Sequence, residues 1–376
     1  MTFVARRAFG RARAQPFSDA PLSALWERLS GRLGSESATM ELKWMREEVR
    51  TRRSVASVTA ITSPIRKRED MEWEVGELRK MVDRRLKGEP LQYILGSQPF
   101  GPITIKTRAP TLIPRPETED WTIRLAALLE ERFPVRGGGG VLRMLDLCTG
   151  TGCIPILISH LRSQAGGITA AYGVDISTKA VLLARENATD QSLTLSSGIA
   201  SHDGDPEGEC YGRFNRGHRT RNVIGAGATD GAQRSSFDVI RANIFQENFA
   251  QEVLSGMGLP FDVITSNPPY IPLDEYERLP NSVREWEDRR ALLGDLPTHK
   301  SGGDSSNGRG LAFYHRIAEI VSTDGVLGAN GVVALEVGHT QAEEVREILR
   351  EVTGGVSATE VWKDPWAVPR VVVGYR

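Results

Sequence analysis

Apolar residues recur at Leu22, Leu25, Trp26, Leu29 and Leu33, the i, i+3, i+4, i+7, i+11 spacing of one helix face. Met71, Val75, Leu78 and Val82 repeat that spacing, and Lys87-Gly88 supplies a stop signal. Leu42, Met45 and Val49 predict another helix between them, whereas RTRRSVASVTAITSPIRKRED (50–70) reads as a loop. Residues 21–98 are thus expected to form a small all-helical domain whose tryptophans sit in its core. Residues 99–117 hold short β-like segments broken by prolines, which suits a hairpin linking two domains.

From residue 118 onward the rhythm changes. VLRMLDL (141–147) has the length and branching of a buried strand, and CIPILISHLRS that of a helix with Pro155 in a tolerated first-turn position. AAYGVDI is a second strand, and Ser177 is placed to cap a helix running to about Asp190. FDVIRANIF and FDVITSN predict two more strands. GLAFYHRIAEIV, GVVALEVG, TQAEEVREIL, TEVWKD and RVVVGYR continue the series to the end of the chain. Strands alternating with helices imply an α/β fold with a doubly wound, mostly parallel sheet. Two stretches break the pattern, at about 191–236 and 295–309. Both are rich in Gly, Arg, Ser and Asp and too polar to offset the entropy of ordering, so they are expected to be disordered surface insertions. The basic GRFNRGHRTRN within the first reads as a solvated loop before it reads as an RNA contact.

Composition narrows the function classes. The chain has 376 residues, 40% hydrophobic and 25% charged, ordinary values for a globular protein. A formal net charge of -1 argues against a broad nucleic-acid-binding surface. Cys148, Cys153 and Cys210 have none of the paired spacings of zinc sites or disulfide frameworks, so no metal is expected. No apolar run has the length needed to span a bilayer. The first residues, MTFVARRAFGRARAQPF, interleave Arg6, Arg7, Arg11 and Arg13 with Phe3, Val4, Phe9 and Phe17, and no acid precedes Asp19. Residues 1–20 therefore read as an amphipathic mitochondrial targeting segment. A basic tail, or a start assigned too far upstream, is the alternative.

Two constellations carry chemistry. In LDLCTGTGCI, Asp146 ends a strand and Thr149, Gly150, Thr151 and Gly152 open a helix, where glycine permits a sharp turn and close approach to a ligand. The G-x-G-x-x-G phosphate pattern is broken because position 155 is proline, which favours a ligand without a pyrophosphate. Asp175, at the end of the next strand, is placed to accept from a ribose diol. A nucleoside cofactor across the carboxyl ends of the strands follows, with strand-end turns as the plain alternative.

The second constellation is SNPPY, Ser266 to Tyr270, after the apolar run Phe261–Thr265. Two prolines cannot extend a central strand, so the minimal reading is a rigid turn. If the run is a strand, however, Asn267 enters the same crevice as Asp146 and Asp175. The Asn267 side-chain oxygen and the Pro268 carbonyl are then two fixed acceptors for a planar NH₂ group, and Tyr270 can stack on it. Such a site suits attack by a weak neutral nucleophile through positioning rather than strong base catalysis.

The combination of GEPLQYILG (88–96), LIPRPETE (112–119), LDLCTGTGCI (145–154), VDIS (174–177), NPPYIP (267–272), WEDRRALLG (286–294), GRGLAFYHRI (308–317) and LEVGHTQ (335–341) resembles the HemK-type glutamine N-methyltransferases. The resemblance covers residues 70–376 apart from the two insertions. It implies a seven-stranded Rossmann-like methyltransferase fold over residues 118–376, S-adenosylmethionine as cofactor, and methylation of the Gly-Gly-Gln glutamine of a peptide-chain release factor. The helical domain would help dock that partner, and the leader points to a mitochondrial (fungal-like) member acting in the matrix. By the same resemblance Asp146, Cys148, Thr149, Gly150, Thr151, Gly152 and Asp175 bind the donor, with Asn243, Ile244 and Asn267 contributing. Asn267, Pro268, Pro269 and Tyr270 hold the substrate amide, Asn267, Pro268 and Tyr270 serving catalysis. Arg115, Glu117 and Glu119, in RPETE, lie in a loop that closes over the site. Four positions, in three places, depart from the family pattern: Cys148 replaces a glycine, Asn243 and Ile244 replace an acid and an aromatic, and Asp288 replaces a proline, leaving its loop less constrained. A monomer without stable nucleic-acid or membrane binding is expected. An adenine amino-methyltransferase with the same Asn-Pro-Pro-Tyr geometry, and a non-catalytic assembly factor on this fold, are the rival readings.

Overall fold

The computed structural model describes residues 16–56, 64–135, 140–195, 234–295, 308–353 and 356–376. The chain forms two compact units, Met1–Leu95 and Gly96–Arg376. Residues 1–15 of the leader, and the bulk of both predicted insertions, lie outside the described residues.

The first unit contains α1 (Ala20–Leu33), α2 (Ser35–Ala56), α3 (Pro64–Leu86) and the short α4 (Leu91–Leu95). Its core is Leu22, Leu25, Trp26, Leu29, Leu42, Met45, Val49, Leu78 and Val82 with Leu91 and Ile94. Gly34, at φ +81°, makes the one-residue break between α1 and α2. The segment expected as a loop (50–70) is shorter, because α2 continues to Ala56 and α3 begins at Pro64. The tryptophans also divide. Trp26 is buried and donates its Nε1 hydrogen to Thr39 Oγ1 at 2.9 Å, but Trp44 and Trp73 are exposed. Trp44 precedes Met45 by one residue, about 100° around the helix from the apolar stripe. Met71 lies on the stripe of α3 yet is 54% exposed, at the level where Arg53 of α2 pairs with the neighbouring Asp70.

The second unit opens with a hairpin, β1 (Ser97–Phe100) and β2 (Ile103–Lys106), shorter than the 99–117 segment expected and starting earlier. It continues through α5 (Pro116–Arg132), β3 (Val141–Leu147), α6 (Cys153–Gln164), β4 (Ile168–Asp175), α7 (Thr178–Asp190) and β5 (Ser236–Arg241). After these come α8 (Phe249–Glu252), β6 (Phe261–Ser266), α9 (Leu273–Tyr276), α10 (Asn281–Arg284) and α11 (Ala312–Ser322). Last are β7 (Leu327–Glu336), α12 (Ala342–Thr353), β8 (Ala358–Lys363) and β9 (Pro369–Tyr375). The sheet order is β5-β4-β3-β6-β7-β9-β8. The first five strands are parallel, and β9 is antiparallel to both neighbours. This is the mostly parallel α/β sheet the sequence pattern implies, with the seven strands the resemblance implies.

Alternation along the strands fills two cores. Leu145, Leu147, Ile264, Val333 and Leu335 face one side, against α11 and α12. Leu142, Met144, Val263, Val332 and Ala334 face the other, against the hairpin, α5, α6 and α7. Chain order reverses between β3 and β6: β3 is followed outward by β4 on one side and by β6 on the other. The carboxyl ends of these strands border the crevice where open α/β sheets bind ligands. The predicted strand 237–245 ends at Arg241, because the Asn243 side chain accepts from Phe245 N at 3.0 Å and turns the chain. The insertion ends are tied down: Thr194 bridges to Ser236, and Asp295 accepts from the backbone of Leu273, Gly308 and Gly310 at 2.9 Å each. No helix among the described residues is long and apolar enough to cross a membrane.

The division between stripe and surface in the first unit is testable by urea denaturation. Leu42→Ala, at a fully buried position, is expected to cost about 2–5 kcal/mol. Met71→Ala should stay within about 0.5 kcal/mol, as at exposed positions generally. A comparable loss at both would show that Met71 belongs to the core.

Candidate active site

The turn after β3 is the first component. Cys148, Gly150 and Gly152 have φ of +59°, +55° and +78°. Gly152 is required twice over, since a Cβ there would also lie 2.8 Å from the Phe237 ring. Gly150 differs: a Cβ would meet nothing within 4 Å, so its left-handed backbone borders open space. Cys148 takes a conformation that disfavours side chains, which explains why glycine suits this position.

Asp146 is fully buried and braces the turn from beneath. Its Oδ2 accepts from Thr149 Oγ1 and its Oδ1 from Thr265 Oγ1, both at 2.6 Å. Burial pushes its pKa up to about 7 against the opposing effect of those two hydroxyls, with the Asp175 charge adding to the rise. Asp146 thus supports the donor turn rather than lining its surface. Ser266 Oγ adds a second tie, donating to the Leu147 carbonyl at 2.7 Å. Asn187 of α7 donates to the Thr151 carbonyl at 3.0 Å and brackets Lys106 of the hairpin through that residue's N–H and C=O.

Asp175 closes one side of the crevice. Its carboxylate accepts from Gly150 N at 2.9 Å and Ser177 N at 2.8 Å. Each carboxylate oxygen retains acceptor capacity, so the group can take a diol as well. Ile244 is buried, and its carbonyl accepts from Arg316 Nε at 2.6 Å. The open backbone at Gly150 and the carboxylate at Asp175 fit a nucleoside-bearing donor, whereas the Ile244 side chain packs in the core cluster. Asp288 does not leave its loop loose. Its N–H donates to the Pro110 carbonyl at 2.7 Å, a bond proline cannot make, and its carboxylate accepts from Arg290 N at 2.9 Å.

The Asn-Pro-Pro-Tyr segment follows β6 directly. Asn267 is half-buried, with Nδ2 3.3 Å from Thr118 Oγ1. Thr118 Oγ1 donates to Glu336 Oε2 at 2.7 Å, and Trp121 Nε1 donates to the same oxygen at 2.7 Å. Pro268 and Pro269 are buried. The Tyr270 backbone is gripped tightly: its carbonyl accepts from Gln341 Nε2 at 2.9 Å, and a Cβ on Gly310 would lie 2.1 Å from that oxygen. A Cβ on Gly294 would lie 2.8 Å from Tyr270 Cα. Burial, with the Glu336 charge, pushes the Tyr270 hydroxyl pKa up, so it stays neutral and offers a ring face rather than a base. A cleft lined by Tyr270, Pro272, Glu275, His339, Gln341 and Arg370 opens beside it.

RPETE is ordered as the first turn of α5, with Pro116 at its start and Glu117 and Glu119 complementing the helix dipole. Arg115 forms a bidentate pair with the buried Glu287 at 2.7 and 2.8 Å. Glu117 lies 3.8 Å from Arg370. The residue of this segment that reaches Asn267 is Thr118, between the two glutamates. Thr118, Trp121, Glu336, Gln341 and Gly310 escaped assignment from sequence. Four of them had one signal, membership of RPETE, LEVGHTQ or GRGLAFYHRI, and Trp121 had none.

The buried Asp146 predicts a pH effect. An unfolded aspartate titrates at about 4 and the folded one at about 7. Between these values the folded state holds a proton that the unfolded state has released, so Asp146 makes stability fall as pH rises. The urea midpoint of Asp146→Asn should therefore gain on that of the parent from pH 4 to 7. Parallel pH profiles would remove Asp146 as the source.

Comparison with known proteins follows this geometry. A family model described as the PrmC N-terminal domain matches residues 60–96. A release factor glutamine methyltransferase of Thermodesulfovibrio yellowstonii is 30% identical over 296 residues, 79% of this chain and 80% of that protein. Its namesake in Agrobacterium fabrum is also 30% identical, over 80% of this chain and 78% of its own. The solved release factor-specific protein-(glutamine-N5) methyltransferase of Alicyclobacillus acidocaldarius is 21% identical, with a TM-score of 0.33, over 70% of this chain and 94% of that one. By its 30% identity to the first two relatives over about four-fifths of its length, the chain belongs to the release factor glutamine methyltransferase family, enzymes that use S-adenosylmethionine as methyl donor.

Proposed function

We propose that the protein methylates the side-chain amide nitrogen of the glutamine in the Gly-Gly-Gln motif of a peptide-chain release factor. The observation that carries this reading is the position of Asn267. It leaves β6 beside the turn that follows β3, and its amide nitrogen is held by Thr118. When bound, S-adenosylmethionine supplies a sulfonium methyl, which joins the amide nitrogen as the C–S bond breaks and one amide proton passes to water. Gly150 and Asp175 would hold that donor. Asn267 Oδ1 and the Pro268 carbonyl accept the two amide hydrogens and fix the nitrogen. Tyr270 lays its ring against the planar amide.

An amide nitrogen is a weak nucleophile because its lone pair is delocalised into the carbonyl. Acceptors aimed at its hydrogens strengthen as the nitrogen gains positive charge, and only such differential interactions lower the barrier. Incubation with donor and a Gly-Gly-Gln peptide should yield a methylated glutamine by mass spectrometry. Asn267→Ala should lower single-turnover methylation by roughly 10²–10³, the order for loss of one preorganised polar contact. Donor affinity should change far less. Methylation within a few-fold of the parent would remove the amide-holding role.

The finer reading is that the release factor is mitochondrial, supported by the arginine-rich, acid-poor residues 1–20. A fluorescent protein fused to that segment should enter mitochondria, and replacing Arg6, Arg7, Arg11 and Arg13 with Glu should abolish import. Cytosolic fluorescence of the unaltered fusion would overturn it.

A further inference from the structure

We infer that Thr118 and Glu336 are positioning residues that set which end of the Asn267 carboxamide faces the substrate; the inference rests on the amide-methylation reading above. A carboxamide is nearly symmetric in shape, so packing alone does not decide whether oxygen or nitrogen points into the crevice. The choice matters because an inward NH₂ would present donors to a substrate NH₂, and the contact would be repulsive.

Proton accounting along the chain of contacts makes the choice. The indole Nε1 of Trp121 can only donate, so Glu336 Oε2, 2.7 Å away, accepts from it. Burial raises the Glu336 pKa, and the accounting that follows holds for the carboxylate and for the acid protonated on Oε1, the two forms in which Oε2 takes both neighbouring donors. Thr118 Oγ1 lies 2.7 Å from that same oxygen and gives it the single hydroxyl proton. Thr118 Oγ1 is left with lone pairs only, directed at Asn267 from 3.3 Å. It can therefore accept from Nδ2 but cannot donate to Oδ1. Turning the carboxamide over would set two oxygens against each other with no proton between them. Oδ1 is thereby directed away from Thr118, toward the side on which the substrate amide must lie.

The scaffold makes this chain of contacts rigid. Glu336 ends β7, and Leu335 before it pairs in register with Ser266, the residue before Asn267. Glu336 is buried, and its own carbonyl accepts from Tyr314 OH at 2.8 Å. Thr118 and Trp121 stand three residues apart on the inner face of α5, both buried. In the low-dielectric interior each member polarises the next, and removing a middle member leaves its neighbours unpaired.

The test uses the full-length protein, S-adenosylmethionine with a labelled methyl and a Gly-Gly-Gln peptide, read as single-turnover rates. Thr118→Val keeps the shape and removes the hydroxyl; it should slow methylation roughly 10- to 100-fold, a step below the loss of a direct contact. Donor affinity measured by calorimetry should be unchanged. Thr118→Ser, which restores the hydroxyl, should return the rate to within about three-fold of the parent, the residual reflecting the lost methyl group. In an Asn267→Ala background Thr118→Val should have no further effect, because the residue acts through Asn267. An equal slowing in both backgrounds would show that Thr118 merely supports the fold, and a Thr118→Val rate within two-fold of the parent would also overturn the inference. Either result, with an active parent and a slow Asn267→Ala, leaves amide methylation standing. A parent that does not methylate the peptide overturns the functional reading and this inference with it.

Discussion

Everything at the site depends on the buried carboxylate of Asp146. Its two oxygens take one hydroxyl from the turn after β3 and one from the neighbouring β6, and so lock together the parts that carry donor and acceptor chemistry. Methyl transfer needs the two reactants in line and near contact, and small errors in their spacing reduce the rate steeply. A pair of parallel strands already fixes that spacing through the Asp146–Thr265 register. The Asp146–Thr149 bond extends the fixed geometry past the end of β3 into the turn, which Asp175 and Asn187 also hold. The raised pKa is the energetic counterpart of this brace, because two hydroxyls solvate a carboxylate less well than water does.

Around Tyr270 the same rigidity is achieved by absence of side chains. Gly294 and Gly310 lie so close to its backbone that any Cβ would collide, and Gln341 fills the carbonyl's remaining need. Three stretches far apart in sequence, LLG, GRG and GHTQ, therefore share one purpose, which is to hold the end of Asn-Pro-Pro-Tyr. The prolines restrict the segment from within and the glycines admit restraint from without.

The fold was largely legible because strands buried on both faces appear as apolar runs, and such runs mark β3, β6, β7 and β9 plainly. The donor turn and Asn-Pro-Pro-Tyr were legible because their backbone demands glycine and proline at fixed places. The helical unit was read less well: periodicity identifies a stripe but not where the facing helix stops being apolar, as Met71 shows, and a tryptophan one step off the stripe, as at Trp44, looks like core by composition. Thr118 and Glu336 were invisible for a different reason. A single threonine in a helix, or one glutamate ending a strand, has no local signature. Its role exists only once β6, β7 and α5 are brought together.

Asp295 gathers three backbone amides, from Leu273, Gly308 and Gly310, onto one buried carboxylate. The chain thus leaves this position and returns to it at a knot of three bonds made by described residues on either side. The entropic cost of joining two fixed ends grows only slowly with the number of residues between them, by about 0.6 kcal/mol for each doubling. The knot is therefore a natural seam at which evolution can lengthen, shorten or replace a stretch of sequence, and try new surface chemistry, without disturbing Gly310 or the tyrosine it holds.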